Sequence, residues 1–192
     1  MSLSASAERI LVGNVLFIVC CAFYVAWWVL RFRPDNPVTG MKSGWLLVPA
    51  AVAGLAGVMC IIWGAASAGG GARLFPGWAA VVGWIVAYAV LAVGTSQLFD
   101  RPVTSELLLI TGWGALALAE VNALAGTALF SRPVTWVFVA VIAVVVVVSL
   151  VCYVLYFRLD SWRSYVDGMA PLILTALVMA GISICMAVYS RR

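Results

Sequence analysis

Apolar residues run along this chain in long stretches, separated by short breaks rich in charge, proline or glycine. A helix rises about 1.5 Å per residue, so ~20 mostly apolar residues are needed to cross the hydrocarbon of a bilayer. Six stretches have that length, over residues 10–30, 45–65, 77–98, 107–129, 134–157 and 166–189. The pattern predicts an all-α integral membrane protein: one six-span transmembrane domain over residues 1–192, with no soluble domain to carry a separate activity. The first stretch follows the short tail MSLSASAER, is long and aromatic, and has no small-residue cleavage site after it. It is expected to be a retained helix and not a removed signal.

Polar positions inside the spans single out span four, where Glu120 interrupts the run LALAEVNALAG. A charged side chain at the bilayer centre costs roughly 2.5–3.5 kcal/mol on insertion scales, so Glu120 is expected to face the bundle interior. Helical spacing puts Trp113 and Thr127 on its face, with Leu116, Ala117, Ala123 and Leu124. A neighbouring face carries Gly112, Ala115, Ala119, Asn122 and Gly126, small enough for another helix to approach closely, which makes span four central. Span two has similar ridges, Ala50 with Gly54 and Ala53 with Gly57, and span three has Gly83, Ala87 and Gly94. The valine run 144–148 marks span five as a helix facing lipid or another protomer.

Spans one, three and four are expected to hold most of the buried polar groups. Span three offers Trp84, Tyr88 and Thr95 on one face, and span one offers Asn14, Phe17, Cys21, Tyr24 and Trp28. Tyr88 is the first candidate to hydrogen-bond the Glu120 carboxyl. Two readings stand side by side. In one, these groups line a narrow aromatic passage whose candidate residues are Glu120, Asn122, Tyr88, Trp84, Trp113, Asn14, Tyr24 and Thr127. In the other they form a satisfied hydrogen-bond cluster that locks the bundle around a protonated carboxyl.

Composition agrees with the pattern: of 192 residues, 66% are apolar and 9% charged, against about a quarter charged in an ordinary soluble domain. The net charge of +4 comes mainly from arginines at span ends, which points to lipid headgroups as partners and not to nucleic acid. Arg31, Arg33, Lys42, Arg101, Arg158 and Arg163 fall on one side, and Arg9, Arg73, Arg132, Arg191 and Arg192 on the other. The first hairpin is the lopsided part, and its bias favours both termini outside. Trp27, Trp28, Trp45, Trp63, Trp78, Trp136 and Tyr189 cluster at span ends, where aromatic rings settle at headgroup level without any ligand.

Missing residues exclude much chemistry. The chain has no histidine, so bis-imidazole haem, histidine metal sites and the usual serine or cysteine hydrolase dyads are absent. Its one lysine, Lys42, lies in a loop, which removes a Schiff base inside the bundle. Cys20, Cys21, Cys60, Cys152 and Cys185 all fall in spans without a C-x-x-C spacing and read as packing residues. No metal or cofactor is expected, and an intramembrane enzyme is the weakest functional reading.

The other acidic residues, Glu8, Asp35, Asp100, Glu106, Asp160 and Asp167, sit near interfaces. Glu106 and Asp167 each read as first-turn residues favoured by the helix dipole, Asp167 with a salt bridge to Arg163, and Pro171 as a possible kink one turn on. The tripeptide Pro-Val-Thr precedes three spans, at Pro37-Val38-Thr39, Pro102-Val103-Thr104 and Pro133-Val134-Thr135, where proline suits a helix start and threonine can cap free N–H groups. The break ASAGGGARLFPG, residues 66–77, reads as a surface loop, with a mobile gate as the alternative.

The layout of six spans in a chain of this length, together with the segments FPGWAAVVGWIVAYAVLAVGTSQLFDRP (75–102) and LILTALVMAG (172–181), resembles the small urea and amide channel family. That resemblance implies passive passage of small neutral amides through an oligomer of separately porous protomers. Where that family would place a carboxylate before the Ile-Leu-Thr-Ala stretch, this chain has Ala170, Pro171 and Leu172, so no pore residue carries over. The expectation is a channel or transporter for a small neutral or weakly polar solute, a homo-oligomer in the cell's inner or plasma membrane. The alternative is a non-transporting membrane subunit or assembly factor, in which Glu120 pairs with a partner or serves structure alone.

Overall fold

The structure, a computed structural model, describes residues 3–35, 44–69, 71, 73–99, 105–156 and 158–191. These form six helices: α1 (Ala5–Phe32), α2 (Leu47–Ser67), α3 (Gly77–Phe99), α4 (Ser105–Gly126), α5 (Arg132–Tyr156) and α6 (Ser161–Tyr189). Each is long and apolar enough to cross a membrane, and the described residues contain no strand. The chain is a multi-pass, all-α bundle. Its first two Pro-Val-Thr copies, with Lys42 and Arg101, lie outside the described residues.

Local chemistry sets the helix ends. The Ser4 hydroxyl accepts from the Ala7 amide at 3.3 Å, and the Asp160 carboxylate accepts from the Arg163 amide at 2.9 Å, each relieving one of the orphan donors of a first turn. At the third Pro-Val-Thr the threonine behaves otherwise than as a cap. Thr135 Oγ1 donates to Ser131 O at 2.9 Å, because the helix already begins at Arg132 and the hydroxyl finds the preceding turn's carbonyl first.

Packing follows the small residues. α1 and α2 meet through a glycine seam: a Cβ on Gly57 would lie 2.9 Å from Gly13 O, and one on Gly64 would lie 2.8 Å from Ser6 O. Backbones this close gain van der Waals contact that larger side chains would prevent, the main attraction between helices in lipid. α1 also packs on α6, α6 on α5, α5 on α4 and α4 on α2, closing a ring, while α3 leans on α4 from outside.

α4 is central, with 56% of its most apolar stretch buried, against 6% for α3. The peripheral position of α3 corrects the expectation that span three supplies buried polar groups. Its mid-helix glycines meet nothing, since a Cβ on Gly83 or Gly94 would touch no neighbour, and Thr95 and Ser96 donate back to their own helix at Leu91 O (2.7 Å) and Val93 O (2.9 Å). Hydroxyls satisfied within the helix impose no demand for a partner. The valine run of α5 mostly faces outward, as expected, with one narrower face turned inward. Val144, Val147 and Val148 are exposed, but Val145 joins Thr135, Phe138, Ile142, Ser149 and Cys152 on a buried face, and Val146 presses on Gly114.

The loop after α2 is pinned rather than gate-like. Arg73 donates to Ala68 O at 2.7 Å and to Ala65 O at 3.5 Å, capping the carbonyls at the end of α2. Gly71 lies directly on the end of α4, where a Cβ would come within 2.2 Å of Gly126 O.

Candidate functional site

Glu120 is the sixteenth of the 22 residues of α4. Its side chain turns inward and is fully buried, as is Asn14 of α1. Asn14 Nδ2 donates to Glu120 Oε1 at 2.5 Å, a short bond across the interior between α1 and α4. The partner is therefore Asn14 and not Tyr88, which sits on peripheral α3 with its ring 6.5 Å from that of Trp84. Two acceptors of the pair, Asn14 Oδ1 and Glu120 Oε2, are buried without a hydrogen-bond partner among the described residues. Orphaned polar atoms at this depth are costly, and in native proteins they tend to mark a strained, ligand-binding or water-holding place.

The remaining sequence candidates separate into groups. Asn122 is buried two residues on from Glu120, on another face, and binds backbone: its Oδ1 accepts from Leu74 N (2.8 Å) and Phe75 N (3.3 Å), and its Nδ2 donates to Phe75 O (2.8 Å). All of its amide chemistry thus goes into holding the α2–α3 loop. Thr127 donates to Leu124 O at 2.9 Å and finishes α4. Trp84 donates to Thr111 Oγ1 at 3.2 Å, tying α3 to α4 beside an open apolar groove between α3, α4 and α5. Trp113 is buried in the interior, and its indole N–H has no partner among the described residues.

Tyr24 belongs to a different place, a cavity of about 280 Å³ at the opposite end of the bundle. Its walls come from the last turns of α1 and α5, the first turns of α4 and residues 167–172 of α6, with Trp28, Phe32 and Tyr156 beside Tyr24. Trp28 is fixed there: its indole N–H donates to Tyr165 O at 3.1 Å, and its ring lies on Gly168, where a Cβ would come within 2.2 Å of it. Glu106 and Asp167 both line this cavity, and among the described residues no lysine or arginine does.

Sequence reasoning missed that second carboxylate by misplacing the start of α6. The helix begins at Ser161 with Asp160 as its cap, so Asp167 is seven residues in and past the first turn, and the carboxylate paired with Arg163 is that of Asp160, at 3.5 Å. A signal was nevertheless present: Glu106, Trp113, Glu120 and Thr127 follow one another at intervals of seven, a single face of α4 running from the cavity, past the unpaired indole, to the buried acid.

Among the described residues no cluster of histidine, cysteine and carboxylates has metal-binding geometry. Compared with protein-family models, curated proteins and solved structures, the chain matches none.

Proposed function

We propose that this chain is a membrane carrier for a small solute, with the interior face of α4 as the path. The observation that carries this reading is the file of Glu106, Trp113 and Glu120 on one face, with unmet hydrogen-bonding atoms at Trp113 Nε1, Glu120 Oε2 and Asn14 Oδ1. Fourteen residues separate the two carboxylates, roughly 21 Å along the helix at 1.5 Å per residue, which is most of the hydrocarbon thickness. The polar groups are spaced as stations and not as a continuous ring, which suits a solute passed between sites better than an ion held by a charged filter. Cys21, Trp113 and Ala117 are buried between the cavity and the Glu120–Asn14 pair, so passage would require the helices to part. This supports a carrier over a permanently open channel.

A flux screen tests the proposal. Purified protein in liposomes should accelerate entry of at least one solute among small amides, amines, carboxylates and protons over protein-free liposomes. Uniform absence of flux removes the carrier reading.

A second reading is a subunit that docks a partner. It is favoured by α3, whose small residues Gly83 and Gly94 face open space. Co-purification of a stoichiometric second chain from the native membrane, with no flux by the isolated protein, would select it.

A further inference from the structure

We infer that the cavity between the ends of α1 and α5 and the starts of α4 and α6 binds an aliphatic ammonium group. This rests on the carrier reading for its purpose and names the class of solute.

Three independent observations converge on that chemistry. The first is sign: Glu106 and Asp167 line the space from two helices, and no cation among the described residues does. The described arginines at this end stay out. Arg31, Arg33 and Arg158 are exposed, and Arg163 is exposed and engaged with Asp160. The second is the wall. Tyr24, Trp28, Phe32 and Tyr156 present aromatic surface, Trp28 lying 4.4 Å from Phe32 and 5.9 Å from Tyr156 between ring centroids. Aromatic faces attract a positive charge through their quadrupole while also contacting its methyl or methylene groups, so such a wall suits alkylammonium better than a hydrated metal ion.

The third is an unmet need inside. Ser149 lines the cavity at 1% exposure with its Oγ unpartnered among the described residues, and Asp167 Oδ2 is likewise buried without a partner. A hydroxyl and a carboxylate oxygen left bare in a space of about 280 Å³ are complementary to a small polar cation carrying its own hydroxyl or N–H. Choline has both parts: a trimethylammonium for the aromatic wall and carboxylates, and a hydroxyl for Ser149.

Ammonium of this kind has two sources, a free solute or the headgroup of a lipid entering from the bilayer. Both would use the same groups, and the test separates them.

The experiment is calorimetric titration of the full chain in maltoside detergent with choline and with 3,3-dimethyl-1-butanol, its neutral isostere. Choline should bind about tenfold or more tightly than the isostere, since the two differ only in the charge that the carboxylates and rings recognise. Equal affinity, or no choline binding, overturns the site. The Glu106→Gln/Asp167→Asn double variant, checked for unchanged helicity and melting temperature, should lose choline affinity by a similar factor; should it misfold, the isostere comparison on the unaltered protein decides alone. Repeating the titration with dihexanoylphosphatidylcholine assigns the source. Binding as tight as choline's supports a lipid headgroup, and binding much weaker supports a free solute. Choline binding with no flux of any solute in the liposome screen removes the carrier reading and leaves the site. Flux of a neutral amide with no charge preference in binding removes the site and leaves the carrier.

Discussion

The bond between Asn14 and Glu120 makes a quantitative prediction. Both side chains are fully buried, and Asn14 Nδ2 is the one donor to the Glu120 carboxyl among the described hydrogen bonds. Replacing Glu120 with Leu leaves the Asn14 amide with neither donor nor acceptor satisfied, an expected loss of about 1–3 kcal/mol. Replacing Asn14 with Leu should cost more, because it strips the buried carboxyl of that donor. The double Leu variant removes both demands and should recover part of the loss. Hydrogen bonds between membrane helices average about 0.6 kcal/mol and reach about 1.7, and the short 2.5 Å geometry places this pair at the upper end, a coupling of about 1–2 kcal/mol. Glu120→Gln should lie within about 0.5 kcal/mol of the unaltered protein, since glutamine keeps the acceptor at Oε1 and offers a new donor for the orphaned Asn14 Oδ1. The assay is reversible unfolding in mixed micelles of dodecylsulfate and a mild detergent, followed by far-UV circular dichroism across the four-member cycle. A coupling below about 0.3 kcal/mol, or a single Leu variant as stable as the parent, would refute the view that this pair joins α1 to α4.

Other consequences follow from the same contacts. Asn122→Ala breaks three bonds to the backbone of Leu74 and Phe75 and should cost about 2–3 kcal/mol, with the amides of those two residues losing protection in hydrogen exchange; unchanged protection would contradict the clamp. Trp113→Phe removes an unpaired buried donor while keeping an aromatic ring, so melting temperature should hold or rise; a clear fall would reveal a partner for the indole. Gly57→Ala places a methyl 2.9 Å from Gly13 O and should lower stability by forcing α1 and α2 apart, whereas Gly83→Ala, in open space, should be silent.

Six long apolar runs were plain in the sequence because bilayer thickness and helical rise together fix the length of a span, whatever packs on it. That Glu120 turns inward was also legible, from the cost of placing a carboxyl in lipid. Which helix answers it was not. Tyr88 and Asn14 are both polar residues within spans, and choosing between them required knowing that α3 lies outside the ring. Small residues misled there: Gly83 and Gly94 have the spacing of a packing face but touch nothing, while Gly13 and Gly57 form a seam between α1 and α2. Asn122, two residues from Glu120, looked like a pore group and clamps the loop, because a carboxamide can satisfy backbone as well as solute. The cavity stayed hidden because Glu106 and Asp167 are far apart in sequence, and the sequence pattern offers each a local reading at a helix start, which for Asp167 the structure removes. Only the ring closure of α1, α4, α5 and α6 brings them to one space.

Counterflow in liposomes tests the carrier account most directly. Vesicles holding the purified protein are loaded with unlabelled choline, diluted into a trace of labelled choline, and followed for label entry, alongside vesicles holding the Glu120→Gln variant of matched stability. The account predicts a transient accumulation of label above its equilibrium level, the mark of a site that faces the two sides in turn, and a severalfold slower rise in the variant. Label that only equilibrates, or a variant indistinguishable from the parent, would contradict it.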